Sequence, residues 1–447
     1  MRASRLFVPR LALAMSLAIG LLPATSALAA DSLLGVYERA RQSDPQFQQA
    51  IADRQARAQA LPQAKALLRP NLSLNSAYET IDSDSDLSGS RSDVEYEQLS
   101  YGVSLTQPLY RYARGQGVDQ ASALVEQANA TFSFAEQSLI LRTAERYFAV
   151  LDAREALDAA QASLQAIERQ LEQAQQRFEV GVIARTDVEE AKAQADLARA
   201  QRLQADNELA SRREALRELT DRAPAVLAGL QEGVDLSAPS PADPEQWRTR
   251  AQTDNAQFIA AKFAAEAAMQ GVDVERGSRF PQLDVVASYD GVEQYGNNGR
   301  DPSSDQYRAG LELTIPFYQG GGVSARVKEA QFRYTEAREI LEQTRRTVSR
   351  DAANAYRGAI TALERVRALD QARISTQAAL DATEAGFDVG TRTIVDVLNA
   401  QRERFNAERD YEQARHAYLV NTLRLRQAAG SLSLEDLRAV NALLQSG

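Results

Sequence analysis

Cysteine is absent from all 447 residues, and histidine occurs once, as His416. A disulfide framework and a lipid-bearing N-terminal cysteine are therefore excluded. So are a histidine-based metal site and a Ser-His-Asp triad. His416 itself reads as a surface or packing residue of a helix. Proline and glycine are missing over long stretches: between Gly117 and Gly181 lie 63 residues with neither, and no proline follows Pro316. One helix through the first gap would run about 95 Å, at about 1.5 Å per residue. Helices of globular proteins average only about 11–12 residues, so a rod or coiled coil is expected. Basic patches are lacking too, and the net charge is −10, which argues against nucleic acid as a partner. Carboxylates are spread along solvated segments with no nucleophile, base and orienting group together, so no enzyme, cofactor or metal is expected.

Long apolar runs are confined to the N-terminus. Arg2, Arg5 and Arg10 precede an apolar Leu11–Leu22, and Ala27-Leu28-Ala29 forms an A-x-A cleavage site. Residues 1–29 are thus expected to be an export signal. Removing three arginines and no acid takes the net charge from −10 to −13. Mean hydropathy is −0.40, and no transmembrane helix is expected downstream.

An internal repeat organises the remainder. Arg177–Val188 reads RFEVGVIARTDV and Gly386–Val397 reads GFDVGTRTIVDV, 209 positions on. Phe178 matches Phe387, Val180 matches Val389, Gly181 matches Gly390, and Asp187 matches Asp396. Asp44 with Asp254, Pro70 with Pro281 and Pro108 with Pro316 recur at nearly the same offset. The chain is expected to divide into a first repeat (30–230), a linker (231–247), a second repeat (248–430) and a C-terminal segment (431–447).

Each repeat carries a helical hairpin. Leu157, Ala160, Leu164, Ile167, Leu171, Ala174 and Phe178 step by 3 and 4, a seam of period 3.5. Val188, Ala191, Ala195 and Ala198 continue it after the turn. Gly181 and Gly390 suit the left-handed position that stops a helix. Thr186, or Arg185–Asp187 more broadly, is the expected cap of the next one.

Four segments alternate with period 2: Asn71–Thr80, Gln98–Leu109, Gln282–Asp290 and Tyr307–Ile315. Leu72, Leu74 and Tyr78 share one face of the first, and Leu99, Tyr101, Val103 and Leu105 one face of the second. Leu283, Val285, Ala287 and Tyr289 do so in the third, and Tyr307, Ala309, Leu311, Leu313 and Ile315 in the fourth. Their length suits tilted membrane strands, with Tyr78, Tyr101, Tyr289 and Tyr307 near strand ends as an interface girdle. Glu79–Glu97 and Gly291–Gln306 then read as long polar loops. A soluble sheet capping the rods is the alternative. Four strands cannot close a barrel, and an open edge cannot face lipid. Two copies would supply eight strands and three would supply twelve.

VGTRTIVDVLNAQ (Val389–Gln401), followed by Ala407, resembles the second-repeat turn of the TolC-like outer-membrane efflux and secretion channels, the outer membrane factor family. Val180-Gly181 with Thr186-Asp187-Val188 is similar to that family's first turn. The resemblance spans the chain beyond the signal. It implies a mainly α protomer with membrane β, trimerising into a 12-stranded barrel on a periplasmic α-helical tunnel. It implies a homotrimer in outer-membrane lipid, docked with a periplasmic adaptor and an inner-membrane ABC, RND or MFS transporter for type I secretion or multidrug efflux. It places the adaptor contacts at Val180, Gly181, Val389 and Gly390. The aperture falls at Asp396 and Asn399, where the family has two acids, so three acids instead of six would ring a trimer. The closed-state lock falls at Arg392, Thr186, Asp187 and Phe387, the last standing where the family has a tyrosine. A soluble periplasmic rod with a β-cap is the rival reading. The segment Gln231–Glu245, with Pro239, Pro241 and Pro244, is expected to join Ser431–Gly447 as an equatorial belt. Leu434, Leu437, Val440 and Leu443 would form a short amphipathic helix there.

Overall fold

A computed structural model of the chain describes residues 31–87, 90–223, 226–296 and 301–445; the expected signal, residues 1–29, lies outside them. The first half runs α1 (Leu33–Ser43), α2 (Pro45–Ala58), α3 (Ala60–Ala66), β1 (Asn71–Leu87), β2 (Ser90–Arg111), α4 (Tyr112–Glu179) and α5 (Arg185–Thr220). The second runs α6 (Pro244–Asp254), α7 (Ala256–Gly277), β3 (Gln282–Tyr295), β4 (Ser303–Thr314), α8 (Gly322–Asp388) and α9 (Ile394–Ala428), with α10 (Leu434–Ala442) at the end. Two mainly helical halves thus share one small sheet. The capping chemistry corrects the repeat alignment at one point. Asp44 caps α2 by accepting from Phe47 N, and Asn255 caps α7 by accepting from Gln257 N and Phe258 N. The counterpart of Asp44 is therefore Asn255 and not Asp254, because the cap is the residue whose side-chain oxygen reaches the first free amides.

α4 and α8 contain 68 and 67 residues, about 100 Å each at the helical rise. Neither can bury its whole length against one partner, so α4 lies along α5 and α7, and α8 along α9, α7 and α6. The expected seam is buried at Leu157, Ile167, Ala174, Ala191, Ala195 and Ala198. Phe178 departs from it, at 42% exposed. It sits one residue before the end of α4, where the partner helix has not yet begun. No described helix is long and apolar enough to cross a membrane.

The largest core joins α1, α4, α5, α9 and α10 through Leu33, Tyr147, Phe148, Leu216, Leu423 and Leu437. The Tyr147 hydroxyl donates to the carbonyls of Asp31 and Ala228, at 3.0 and 2.7 Å. Burial pushes that phenol well above its ordinary pKa. His416 is 3% exposed, with Nδ1 2.7 Å from the Asp152 carboxylate and its ring against Phe148. It is a packing residue with a polar partner, which joins α9 to α4. The segment after α5 meets the C-terminal residues through Gln231 N to Leu443 O (3.0 Å) and Gln445 N to Gly229 O (2.8 Å). Leu437 and Val440 of α10 are buried in this core, with Leu434 and Leu443 half-buried beside them.

The four strands form one antiparallel sheet in the order β1-β2-β3-β4. Directly paired residues share a face. Leu72, Leu74 and Tyr78 pair with Leu105, Val103 and Leu99. Val103 and Leu105 pair in turn with Tyr289 and Ala287, which pair with Tyr307 and Ala309. The alternating apolar sets of all four strands therefore fall on one face. The other carries Ser73, Asn75, Ser104, Ser288, Asp290, Gln306 and Arg308. Two expectations are corrected. β1 and β2 run 17 and 22 residues and pair out to Leu87 and Ser90, so Glu79–Glu97 is largely strand and not loop. Likewise β3 and β4 consume most of Gly291–Gln306, pairing out to Glu293 and Ser303. Ladder hydrogen bonds come from the backbone, so a strand wet on both faces can be polar throughout and still pair. Consequently Tyr78, Tyr101, Tyr289 and Tyr307 sit mid-strand and not at strand ends. Three of them are neighbours on the sheet, with the Tyr289 ring tilted against those of Tyr101 and Tyr307 at 6.2 and 4.7 Å.

Gly430 ends α9 at φ +77°, where an added Cβ would stand 2.2 Å from the Asp254 carbonyl oxygen. Gly181 is also left-handed, at φ +76°, but has open space around it. Gly181→Ala should cost only the left-handed strain, about 1–2 kcal/mol. Gly430→Ala should cost more and give a clearly lower unfolding midpoint in parallel thermal melts followed by circular dichroism. Equal midpoints would contradict the close approach.

Candidate functional site at the paired turns

Both long helices stop in the same way. Val180 and Val389 are the last residues near helical geometry, and Gly181 and Gly390 follow at φ +76° and +80°. Gly181 N donates to Phe178 O and Val182 N to Arg177 O, both at 2.9 Å. In the second turn Gly390 N donates to Phe387 O at 3.0 Å and Thr391 N to Gly386 O at 2.9 Å. The left-handed glycine lets the chain fold back and pair the last carbonyls of the helix. Val180 and Val389 are 74% and 75% exposed, so each turn presents a valine to its surroundings.

The turns differ in how the next helix starts. Thr393 caps α9: Asp396 N donates to Thr393 Oγ1 at 3.2 Å, and Thr393 N and Oγ1 both donate to Asp396 Oδ2 at 2.9 Å. This is a full capping box. The amide and hydroxyl of Thr393, in that order, hold the Asp396 carboxyl below its ordinary pKa, and Arg392 adds to the effect. The first turn has Ala184 at the matching position and no side-chain cap. Thr186 is thus inside α5 and does not cap it, contrary to the sequence expectation. Its neighbour Asp187 stands in the first helical turn with no capping partner to hold it.

Of the expected site residues, Asp187, Phe387 and Arg392 line one cleft of about 500 Å³, together with Arg177, Glu190 and Thr393. Beneath it Ile167, Ala195, Ala198, Ile394 and Leu398 form a small apolar core, on which Phe387 packs. Thr186 is exposed and lies outside the cleft. No hydrogen bond joins Arg392 to Thr186 or Asp187 within the protomer, among the described residues. Asn399 is also exposed and accepts from Arg402 at 3.1 Å. Two participants were not expected. Thr393 was signalled by the T-x-x-D spacing, the usual mark of a cap. Arg177, whose guanidinium lies 4.7 Å from the centre of the Phe387 ring, had no sequence signal.

The family model described as "Outer membrane efflux protein" matches residues 36–222 and 247–431. The chain is similar to "Outer membrane protein TolC" of Vibrio cholerae, at 37% identity over 97% of this chain and 98% of that one. It is also similar to "Alkaline protease secretion protein AprF" of Pseudomonas aeruginosa, at 28% identity over 93% and 88%. Among solved structures, the Campylobacter jejuni CmeC outer membrane channel superimposes with a TM-score of 0.77 at 16% identity, covering 92% of this chain and 90% of that one.

The lowered Asp396 pKa sets a pH dependence for the second turn. A carboxyl depressed in the folded state stabilises it fully above the ordinary value of 3.8, and the contribution is lost as pH falls through the lower folded value. Thr393→Ala should bring the Asp396 carboxyl back toward its ordinary pKa. It should also speed amide exchange at Asp396 and Val397. Exchange at the wild-type rate would show that the cap does not secure this turn.

Proposed function

We infer what this chain does from what it is: it belongs to the outer membrane efflux protein family. It is an outer-membrane protein whose helical part extends into the periplasm. On our reading it is the exit duct for type I protein secretion, multidrug efflux or both. Three copies close a 12-stranded barrel over a tunnel of six helical hairpins, which opens at its periplasmic end on docking with an adaptor and an ABC, RND or MFS transporter. The observation that carries this reading is the sheet. It has one apolar face, one polar face, and two edge strands, β1 and β4, whose outer edges have no strand partner among the described residues. Such a sheet suits a barrel wall with lipid outside and water inside, and is stable in a bilayer only when further copies pair its edges.

At the other end, Val180, Gly181, Val389 and Gly390 offer the exposed tips to an adaptor. Asp396 contributes one acid per copy to the aperture, with Asn399 in place of a second. Among the described residues Arg392 makes no hydrogen bond to Thr186 or Asp187 of its own protomer, and on our reading the lock forms between neighbouring copies. Phe387 lacks the hydroxyl that would add one more link.

The purified outer-membrane fraction should give a heat-modifiable, cross-linkable trimer that forms pores in planar bilayers. A monomer without conductance would favour the soluble periplasmic rod instead. Because ring charge sets the field at a constriction, Asn399→Asp should strengthen block by multivalent cations in the same bilayers. Unchanged block would remove these positions from the aperture.

A further inference from the structure

Arg177 belongs to none of the lock positions, yet it connects the two repeats. It lies in the last turn of α4, and Phe387 in the last turn of α8. Its guanidinium carbon is 4.7 Å from the centre of the Phe387 ring, and both side chains are half-buried. An arginine over an aromatic face needs no hydroxyl on the ring, only the negative face of the π system. Asp187 and Glu190 line the same cleft, but no ion pair engages Arg177 among the described residues, so its charge is left for the ring. The backbone carbonyl of Arg177 meanwhile accepts from Val182 N and closes the first turn. One residue thus shapes its own turn and reaches the other.

The contact is one-directional. The repeat counterpart of Arg177 is Gly386, and that of Phe387 is Phe178, which is 42% exposed. Gly386 also has no room for a side chain: a Cβ there would stand 2.8 Å from Arg392 Cγ and 3.2 Å from Thr391 Oγ1. The second copy of the turn has given that space to Arg392, and only the first copy can supply a clasp.

We propose that Arg177 is a positioning residue of the closed tip. Stacked on Phe387, it holds the end of α8, and with it the Arg392–Asp396 turn, against the end of α4. Outward movement of the second hairpin would have to break this stack within each protomer, independently of any link between copies. The proposal rests on the duct reading.

The test is single-channel recording of the full-length protein in planar bilayers, without adaptor. Arg177→Gln and Phe387→Leu should each raise the open-to-closed ratio by about two- to fivefold per clasp, the range for a partly exposed cation–π contact. The double variant should rise no further than either single one, and Phe178→Leu should match the wild type. The Arg177→Gln effect should persist in about 1 M salt, where a Debye length of about 3 Å screens exposed ion pairs. Wild-type gating in Arg177→Gln, multiplying effects in the double variant, or loss of the effect at high salt would each overturn the clasp. Absence of any pore in the wild type would instead overturn the duct reading on which it stands.

Discussion

Backbone amides and carbonyls at the edge of a sheet have no water to turn to inside a bilayer, and each one left unpaired costs several kcal/mol. That constraint orders this molecule from one end to the other. Among the described residues β1 and β4 present unpaired outer edges, and four strands are too few to meet each other in a closed wall. More copies are required, and each copy added brings its helices along. β2 passes into α4 at Arg111–Tyr112 with no intervening loop. The number of helical hairpins at the far end therefore follows from the number of strands needed at the membrane. Arg111 and the buried Asp284 pair across β2 and β3 close to this junction, tying the two hairpins of the sheet where the rods begin.

Helices of 68 and 67 residues raise a second difficulty, since no single neighbour covers them. The solution is end-to-end tiling. α5 covers α4 toward the turn, and α7 covers it toward the sheet, where Gly277 comes so near that a Cβ would stand 2.6 Å from Ala113 Cα. Where the tiles meet, the chain needs short capped breaks. Asp44, Asn255, Asp221 at φ 54° and Gly430 at φ +77° supply them. The small apolar residues Ala195 and Ala198 of the seam let α5 and α9 meet α4 in one cluster, at Ile167, Ile394 and Leu398.

What was legible in the sequence was what periodicity records. Period 2 assigned the strand faces well enough that all four apolar sets meet in register. Period 3.5 located the seam from Leu157 to Ala174. The repeated V-G pair located both turns. Composition was a poorer guide. Ser- and Asp-rich Glu79–Glu97 looked like a loop because polarity was equated with lack of pairing, whereas a strand wet on both faces is polar and still paired. Phe178 fitted the seam by spacing but overran the partner that would have covered it. Thr186 looked like a cap because it is a threonine at a helix start, yet the capping position is Ala184, two residues earlier. The Arg177–Phe387 contact joins residues 210 positions apart and has no signature in local pattern at all.

Two copies of one turn began with the same backbone, and the same left-handed glycine still ends both helices. A single position then divides their chemistry. With Thr393 present, Asp396 is committed to its own helix: its carboxylate accepts from the Thr393 amide and hydroxyl, which hold it in the charged form. With Ala184 instead, no side-chain cap engages Asp187 among the described residues, and its carboxylate stands half-exposed in the cleft. The second copy meanwhile gave up a side chain at Gly386 and gained a basic one at Arg392, which fills that space. One turn is thereby capped by its own side chains, with its cation on offer, and the other is uncapped, with its anion on offer. On the duct reading, a capped turn that offers a cation and an uncapped turn that offers an anion are what a reversible closure between the two tips requires. Identical turns could not provide it, because two satisfied caps would have nothing left to exchange.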